Sequence, residues 1–217
     1  MIKGDKTRSH DWLHFSKKYG TALFGLVVFV FFSIFANNFF TINNQLMLLR
    51  QMSMLTVVAL GFTFVMAAGG FDMSLGNAAG LINITFGSIL IATNNFMLSL
   101  IGALVVGVLL GLTNGLLVAI IGLPDFIATF AVGTITVGLK MLITKGNPMP
   151  FPQDVSKAAL FVGQGKVGNI PFPVILMLIL VALVAFVLEK TRLGRRIYAI
   201  GGNKVASQYG GINVKKY

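Results

Sequence analysis

Residues 67–76 read A-A-G-G-F-D-M-S-L-G, and Asp72 within them is the only acid between Asp11 and Asp125. A carboxylate between two long apolar runs costs on the order of several kcal/mol at membrane depth unless it is paired or hydrated. Its chemistry is therefore that of a hydrogen-bond acceptor near an interface, in a wet cavity or against a partner. Gly69 and Gly70 free the backbone ahead of it, and Asp72 or Ser74 can cap a helix that starts near Leu75. The stretch reads as a break between two helices. It is either a tight cytoplasmic turn closed by an N-cap or a discontinuous element lining a pathway, because unwound backbone at membrane depth persists only where it meets water or protein.

On the second reading, other polar groups of the apolar segments join the break in a translocation path made of Asp72, Ser74, Asn77, Asn114, Thr129 and Thr136. Thr129, Gly133 and Thr136 share one helical face. Threonines in such helices more commonly bond their own carbonyls, which is the competing reading for these and for Thr134. Asn83 and Thr85 are further polar groups inside the spans. Enzymatic patterns are missing: there is no G-x-x-x-x-G-K-[ST] phosphate loop and no H-E-x-x-H, and the only histidines are His10 and His14. Two imidazoles four residues apart without a third ligand make a weak metal site. With Trp12, Leu13, Phe15 and Tyr19 beside them they read as an interfacial helix resting on the membrane. No catalytic residue and no metal site is assigned, and the absence of cysteine removes thiolate chemistry.

The elements that must position these groups are membrane helices. Hydrophobic residues make up 56% of the chain and charged residues 11%, and the mean hydropathy is +0.86. The fold class is all-α, a polytopic helical membrane protein. Apolar segments at about 21–40, 53–69, 74–93, 97–121, 125–144 and 172–188 give six crossings. The net charge of +11 reads as topology rather than nucleic-acid binding, because the basic residues collect at the two ends. Lys3, Lys6, Arg8, Lys17 and Lys18 lie before the first span. Lys190, Arg192, Arg195, Arg196, Lys204, Lys215 and Lys216 follow the last. Both termini are expected in the cytosol. The chain then divides into a basic interfacial tail (1–20), a permease-like membrane region (21–188) with an external loop at 145–171, and a basic cytoplasmic segment (189–217). Ala103, Gly107, Gly111, Gly115 and Ala119 recur at intervals of four, with Ser99 before them. Small residues at that spacing admit a close helix neighbour, in a bundle or at a dimer seam.

Taken together, the runs G-G-F-D-M-S-L-G at 69–76, G-L-T-N-G-L-L-V-A-I-I-G-L-P-D-F-I-A-T at 111–129, T-R-L-G-R-R-I-Y-A-I-G-G-N at 191–203 and A-S-Q-Y-G-G-I-N-V at 206–214 resemble the permease subunits of bacterial ABC importers for ribose and related simple sugars. The resemblance implies a subunit of the bacterial cytoplasmic membrane that moves a monosaccharide or related small polar solute by alternating access. It also implies a second permease copy or homologue, ABC ATPase subunits that carry the ATP and Mg, and an extracytoplasmic sugar-binding protein. The segment from Arg195 to about Asn213 becomes the coupling loop gripped by the ATPase, with Arg195, Arg196, Gly201, Gly202, Asn203, Gly210 and Gly211 as its working residues. Gly201 and Gly202 suit a turn, and A-S-Q-Y-G-G-I suits a short helix ending at glycine.

Two departures qualify the likeness. Acids usual after G-G-N in that family are replaced by Lys204 and Val205. The family typically has about ten spans in more than 300 residues, so this chain corresponds to its N-terminal two thirds. The alternatives are a non-transporting truncated scaffold or assembly remnant, and a secondary carrier, which the shortage of ionisable groups inside the spans disfavours.

Overall fold

The structure is a computed structural model that describes residues 6–150 and 155–217, with side chains described from Tyr19 onward. The expected interfacial set around His10, Trp12 and His14 lies outside the described side chains. The chain forms two compact units, Met1–Leu49 and Arg50–Tyr217.

In the first unit, helix α1 spans Lys6–Phe35. The span expected at 21–40 stops earlier. Residues 36–41 form a turn in which Asn38 takes φ 62°, and Asn44 Nδ2 and Gln45 Nε2 donate to the Phe39 carbonyl at 2.7 and 2.8 Å. Asparagine tolerates the left-handed conformation that ends a helix, so the Asn37-Asn38 pair overrides the apolar run around it. The Phe39 ring packs on Phe29 and Phe32 with centroids at 5.5 and 5.9 Å.

Helix α2 (Ile42–Ala67) starts eleven residues ahead of the expected 53. Asn43 and Asn44 lie in the first turn, where asparagine is tolerated, and Gln45 and Arg50 are good helix formers, so the rod extends beyond its apolar part. It is followed by α3 (Leu75–Thr93), α4 (Phe96–Gly115) with a π-helical continuation at Leu116–Ile120, and α5 (Asp125–Thr144). The segment expected as an external loop holds a short α6 (Lys157–Gln164) and a hairpin of β1 (Lys166–Val167) with β2 (Ile170–Pro171), turned at Gly168 with φ 62°. Then come α7 (Phe172–Lys190), α8 (Arg192–Gly202), α9 (Lys204–Tyr209) and a 3-10 turn at Val214–Lys216. Helices α2, α3, α4 with its continuation, α5 and α7 are each long and apolar enough to cross a bilayer, and Tyr19–Phe35 adds a shorter apolar stretch.

Helix α3 sits between α4 and α5. Asn94 ends it in the left-handed conformation and Asn95 starts α4, its side chain accepting from the Leu98 N–H at 3.0 Å. Two asparagines thus make the tight reversal that sets α3 and α4 antiparallel. Glycine gives the closeness: a Cβ on Gly102 would collide with Ile89, and one on Gly107 would lie 3.3 Å from Ile82 Cδ1. Leu81 and Leu90 of α3 and Ala103 of α4 are buried. The four-residue stripe is thereby divided. Ala103 and Gly107 pack on α3, Gly111 and Gly115 are exposed with nothing within 4 Å of an added Cβ, and Ala119 is half-buried. A four-residue step overshoots a helical turn by about 40°, so the stripe rotates out of the seam.

Candidate functional site: a polar break beside helix α5

Residues 68–74 leave the helical conformation between α2 and α3, so the expected break is present. It is a climbing segment, laid against the first two turns of α5. The Phe71 N–H donates to Asp125 Oδ2 at 3.3 Å and the Met73 N–H to Thr129 Oγ1 at 3.0 Å. A Cβ on Gly133 would lie 3.3 Å from Ser74 Cα. Gly133 stands eight residues beyond Asp125, or about 12 Å along the axis at 1.5 Å per residue. Asn114 likewise lies six residues, or about 9 Å, inside the end of the α4 continuation. Irregular backbone at that depth must take its hydrogen bonds from neighbouring side chains, which Thr129 and Asp125 supply.

Asp72 accepts from the Ser74 N–H at 2.7 Å, the Ser74 hydroxyl at 2.6 Å and Asn114 Nδ2 at 3.3 Å. Asn114 Nδ2 also donates to Ser74 Oγ at 2.8 Å. Three donors stabilise the carboxylate in place of water. Capping takes a different form from the one expected. Ser74 stands at the N-cap of α3 without a side-chain capping bond, because its hydroxyl is committed to Asp72, and Asp72 closes an Asx turn on the Ser74 N–H instead. Asn114 Oδ1 is buried with no hydrogen-bond partner, which leaves an acceptor inside the cluster.

Of the expected path residues, Asp72, Ser74, Asn114 and Thr129 converge. Asn77 lies one turn up α3, where Lys140 Nζ donates to its Oδ1 at 3.3 Å. Thr136 stays apart: it is fully buried against α3, and its hydroxyl donates to the Val132 carbonyl at 2.7 Å. Thr129 and Thr134 also bond their own helix, to Asp125 and Phe130, and of the three threonines only Thr129 accepts a backbone N–H from the break. Asp125 and Lys140 were not singled out from the sequence. Asp125 carried a signal, an acid directly after Pro124 at a helix start. Lys140 carried a stronger one, since no lysine or arginine occurs from Gln51 to Leu139.

The basic segment closes the other side of the break. In α8, Gly194, Ile197 and Ile200 are buried while Arg192, Arg195, Arg196 and Tyr198 are exposed. Gly194, which is buried, and Gly201, which is exposed, lie seven apart, two helical turns. A Cβ on Gly194 would collide with the Leu188 carbonyl of α7, and one on Gly201 with the Ala67 carbonyl of α2. A Cβ on Gly69 would in turn lie 3.3 Å from Gly201 Cα. The turn expected at Gly201-Gly202 is therefore absent: both residues are helical, because Gly201 is required for close packing rather than for chain reversal. Asn203 makes the corner with extended backbone, its side chain accepting from the Ala206 N–H at 2.9 Å to start α9. The short helix does end at glycine, with Gly210 following Tyr209 and Gly211 at φ 82°. Arg196 Nη1 donates to the Tyr217 hydroxyl and its guanidinium lies over that ring, 5.5 Å from the centroid, while Arg195 Nη1 donates to the Lys190 carbonyl at 3.4 Å.

Comparison with known proteins agrees with the likeness drawn from the quoted runs. The chain is 35% identical to the ribose import permease protein RbsC of Escherichia coli K12 over 217 residues, 99% of this chain and 66% of that protein. It is 34% identical to the ribose import permease protein RbsC of Haemophilus influenzae over 192 residues, 88% of this chain and 59% of that one. The D-allose transport system permease protein AlsC of Escherichia coli K12 is 34% identical over 204 residues, 93% and 61% of the two chains. The chain thus spans 59% to 66% of the length of these relatives. No solved structure matches significantly. Residues 44–217 match one family model, a region that includes the break, the Asn114 and Thr129 helices and α8. This polytopic helical membrane protein belongs to the family described as branched-chain amino acid transport system / permease component.

Proposed function

We propose that the chain is the transmembrane permease portion of an ATP-driven importer for a monosaccharide or related polyhydroxylated solute. The observation that carries this reading is the column of polar groups beginning at the break. Asp72, Ser74 and Asn114 are joined by hydrogen bonds, and Asn77 and Lys140 continue it along the groove between α3 and α5. A solute hydroxyl is both donor and acceptor, so it suits the unpartnered Asn114 oxygen and the amides above it. The relatives named for ribose and allose favour a sugar over an amino acid.

The path residues in this reading are Asp72, Ser74, Asn77, Asn114 and Thr129, with Thr136 supporting the α3–α5 packing behind them. The exposed edge of α8 and α9, Arg195 to Gly211, is the surface for the cytoplasmic ATPase, which holds ATP and Mg. The packed edge transmits: motion of α8 bears through Gly201 on Ala67 and Gly69, and so on the segment that carries Asp72. A second permease copy covers the exposed apolar helix faces, and a sugar-binding protein docks on the outer side. The basic ends favour a cytosolic position for both termini.

The reading is tested by uptake of radiolabelled sugars and of leucine in cells expressing the chain with the ATPase and binding-protein genes of its locus. Sugar accumulation that is lost on ATP depletion, without leucine accumulation, is expected. Leucine uptake alone overturns the solute class, and no uptake of either overturns the importer reading.

A further inference from the structure

Lys140 has no part in the polar break, yet the fold makes room for it. Its stem lies over Gly80, where an added Cβ would meet Nζ at 3.0 Å and Cδ at 3.2 Å. Any side chain at position 80 would press on it. Lys140 is half-buried and stands fifteen residues beyond Asp125, about 22 Å along α5. Among the described residues its hydrogen-bond partner is the Asn77 amide oxygen at 3.3 Å, and no carboxylate pairs with it. An ammonium inside a span is costly until an opposite charge reaches it.

Beside it opens a cavity of about 510 Å³ between α3, α5 and the segment that follows α5, lined by Asn83, Gly87, Lys140, Thr144, Asn147 and Met149 among others. Asn147 spends its Nδ2 on the Lys145 carbonyl at 3.1 Å, which leaves its oxygen to accept. Asn83 is exposed, and its side chain makes no hydrogen bond to the protein among the described residues. One cation, two amides and a glycine that keeps the wall low form a pocket for a molecule with a single negative group and several hydroxyls.

We infer that this cavity is a carboxylate-binding site, with Lys140 as the charge partner, and that it selects sugar acids from among the polyhydroxylated solutes. The inference rests on the importer reading and sharpens its substrate class. The ammonium pairs with the carboxylate in a charge-assisted hydrogen bond, while Asn83 and Asn147 bond the hydroxyls. Neutral sugars retain only the amide contacts, so Lys140 is a specificity-determining residue.

The test compares uptake of ribonate with ribose, and of galacturonate with galactose, in the same cells for the parent chain, Lys140→Gln and Lys140→Arg. The acid-to-neutral uptake ratio is expected to fall about tenfold or more in Lys140→Gln and to be largely restored in Lys140→Arg, since both basic side chains carry the charge. An unchanged ratio overturns the inference. Parent uptake of neutral sugars alone overturns it too, while leaving the importer reading intact. Uptake of neither class overturns both. The same carboxylate chemistry could come from an acidic side chain of a docked protein, so each variant is also tested for co-purification with the binding protein and a second permease copy. Unchanged co-purification is expected. Loss of a partner, with both uptakes lowered equally, gives the charge to that partner and overturns the solute site.

Discussion

Asp72 shows how one side chain can hold irregular backbone inside a helical protein. Its carboxylate takes the Ser74 N–H, the Ser74 hydroxyl and an Asn114 N–H, so removing it strands donors rather than only deleting a charge. A stranded buried donor costs about 1–3 kcal/mol. Asp72→Leu is expected to insert at normal levels but to unfold at a lower temperature in detergent and to lower sugar uptake about tenfold or more. Asp72→Asn keeps one acceptor oxygen for the Ser74 N–H and is expected to fall between the two. Thermal unfolding of the purified variants, with uptake alongside, checks the order. Normal uptake in Asp72→Leu reduces the stretch to a turn.

Among the elements, α8 is the one whose placement follows from glycine. Gly194 and Gly201 bring one helix against two carbonyls at once, Leu188 on one side and Ala67 on the other. Neither approach tolerates a side chain, and backbone cannot move aside as a flexible side chain does. Gly201→Ala is therefore expected to shift α8 away from the break and to uncouple ATP hydrolysis from sugar uptake while the ATPase still binds. Gly61→Ala, in α2 outside the ATPase surface and with nothing within 4 Å of the added Cβ, is the matched control and should retain coupling. The readout is solute-stimulated ATPase activity of the reconstituted transporter. Equal behaviour of the two variants removes the proposed transmission through Gly201.

At the scale of the whole molecule, the placement of these parts depends on orientation. The chain contains no cysteine, so single cysteines report side directly. Asn169→Cys in the hairpin between β1 and β2 is expected to react with a membrane-impermeant maleimide on intact cells. Gln208→Cys, exposed on α9, should react only after permeabilisation. The reverse pattern removes the cytoplasmic ATPase surface and the importer reading with it.

Much of this was legible in order along the chain. Apolar run lengths located the membrane helices, because span length is set by bilayer thickness. The glycines around Asp72 marked the break, because a carboxylate and flexible backbone are costly in lipid wherever they lack a purpose. The helix ends were legible less well, since polar residues at 42–50 extended α2 and Asn37-Asn38 ended α1 against the hydropathy signal. What only the tertiary structure decided was partnership. It brought Asp72 to Asn114, forty-two residues away, Lys140 to Asn77, and Gly201 to Ala67, and it turned half of the small-residue stripe outward. Those pairings depend on the relative height and rotation of separate helices, which side-chain packing sets between segments and local sequence within one segment does not encode.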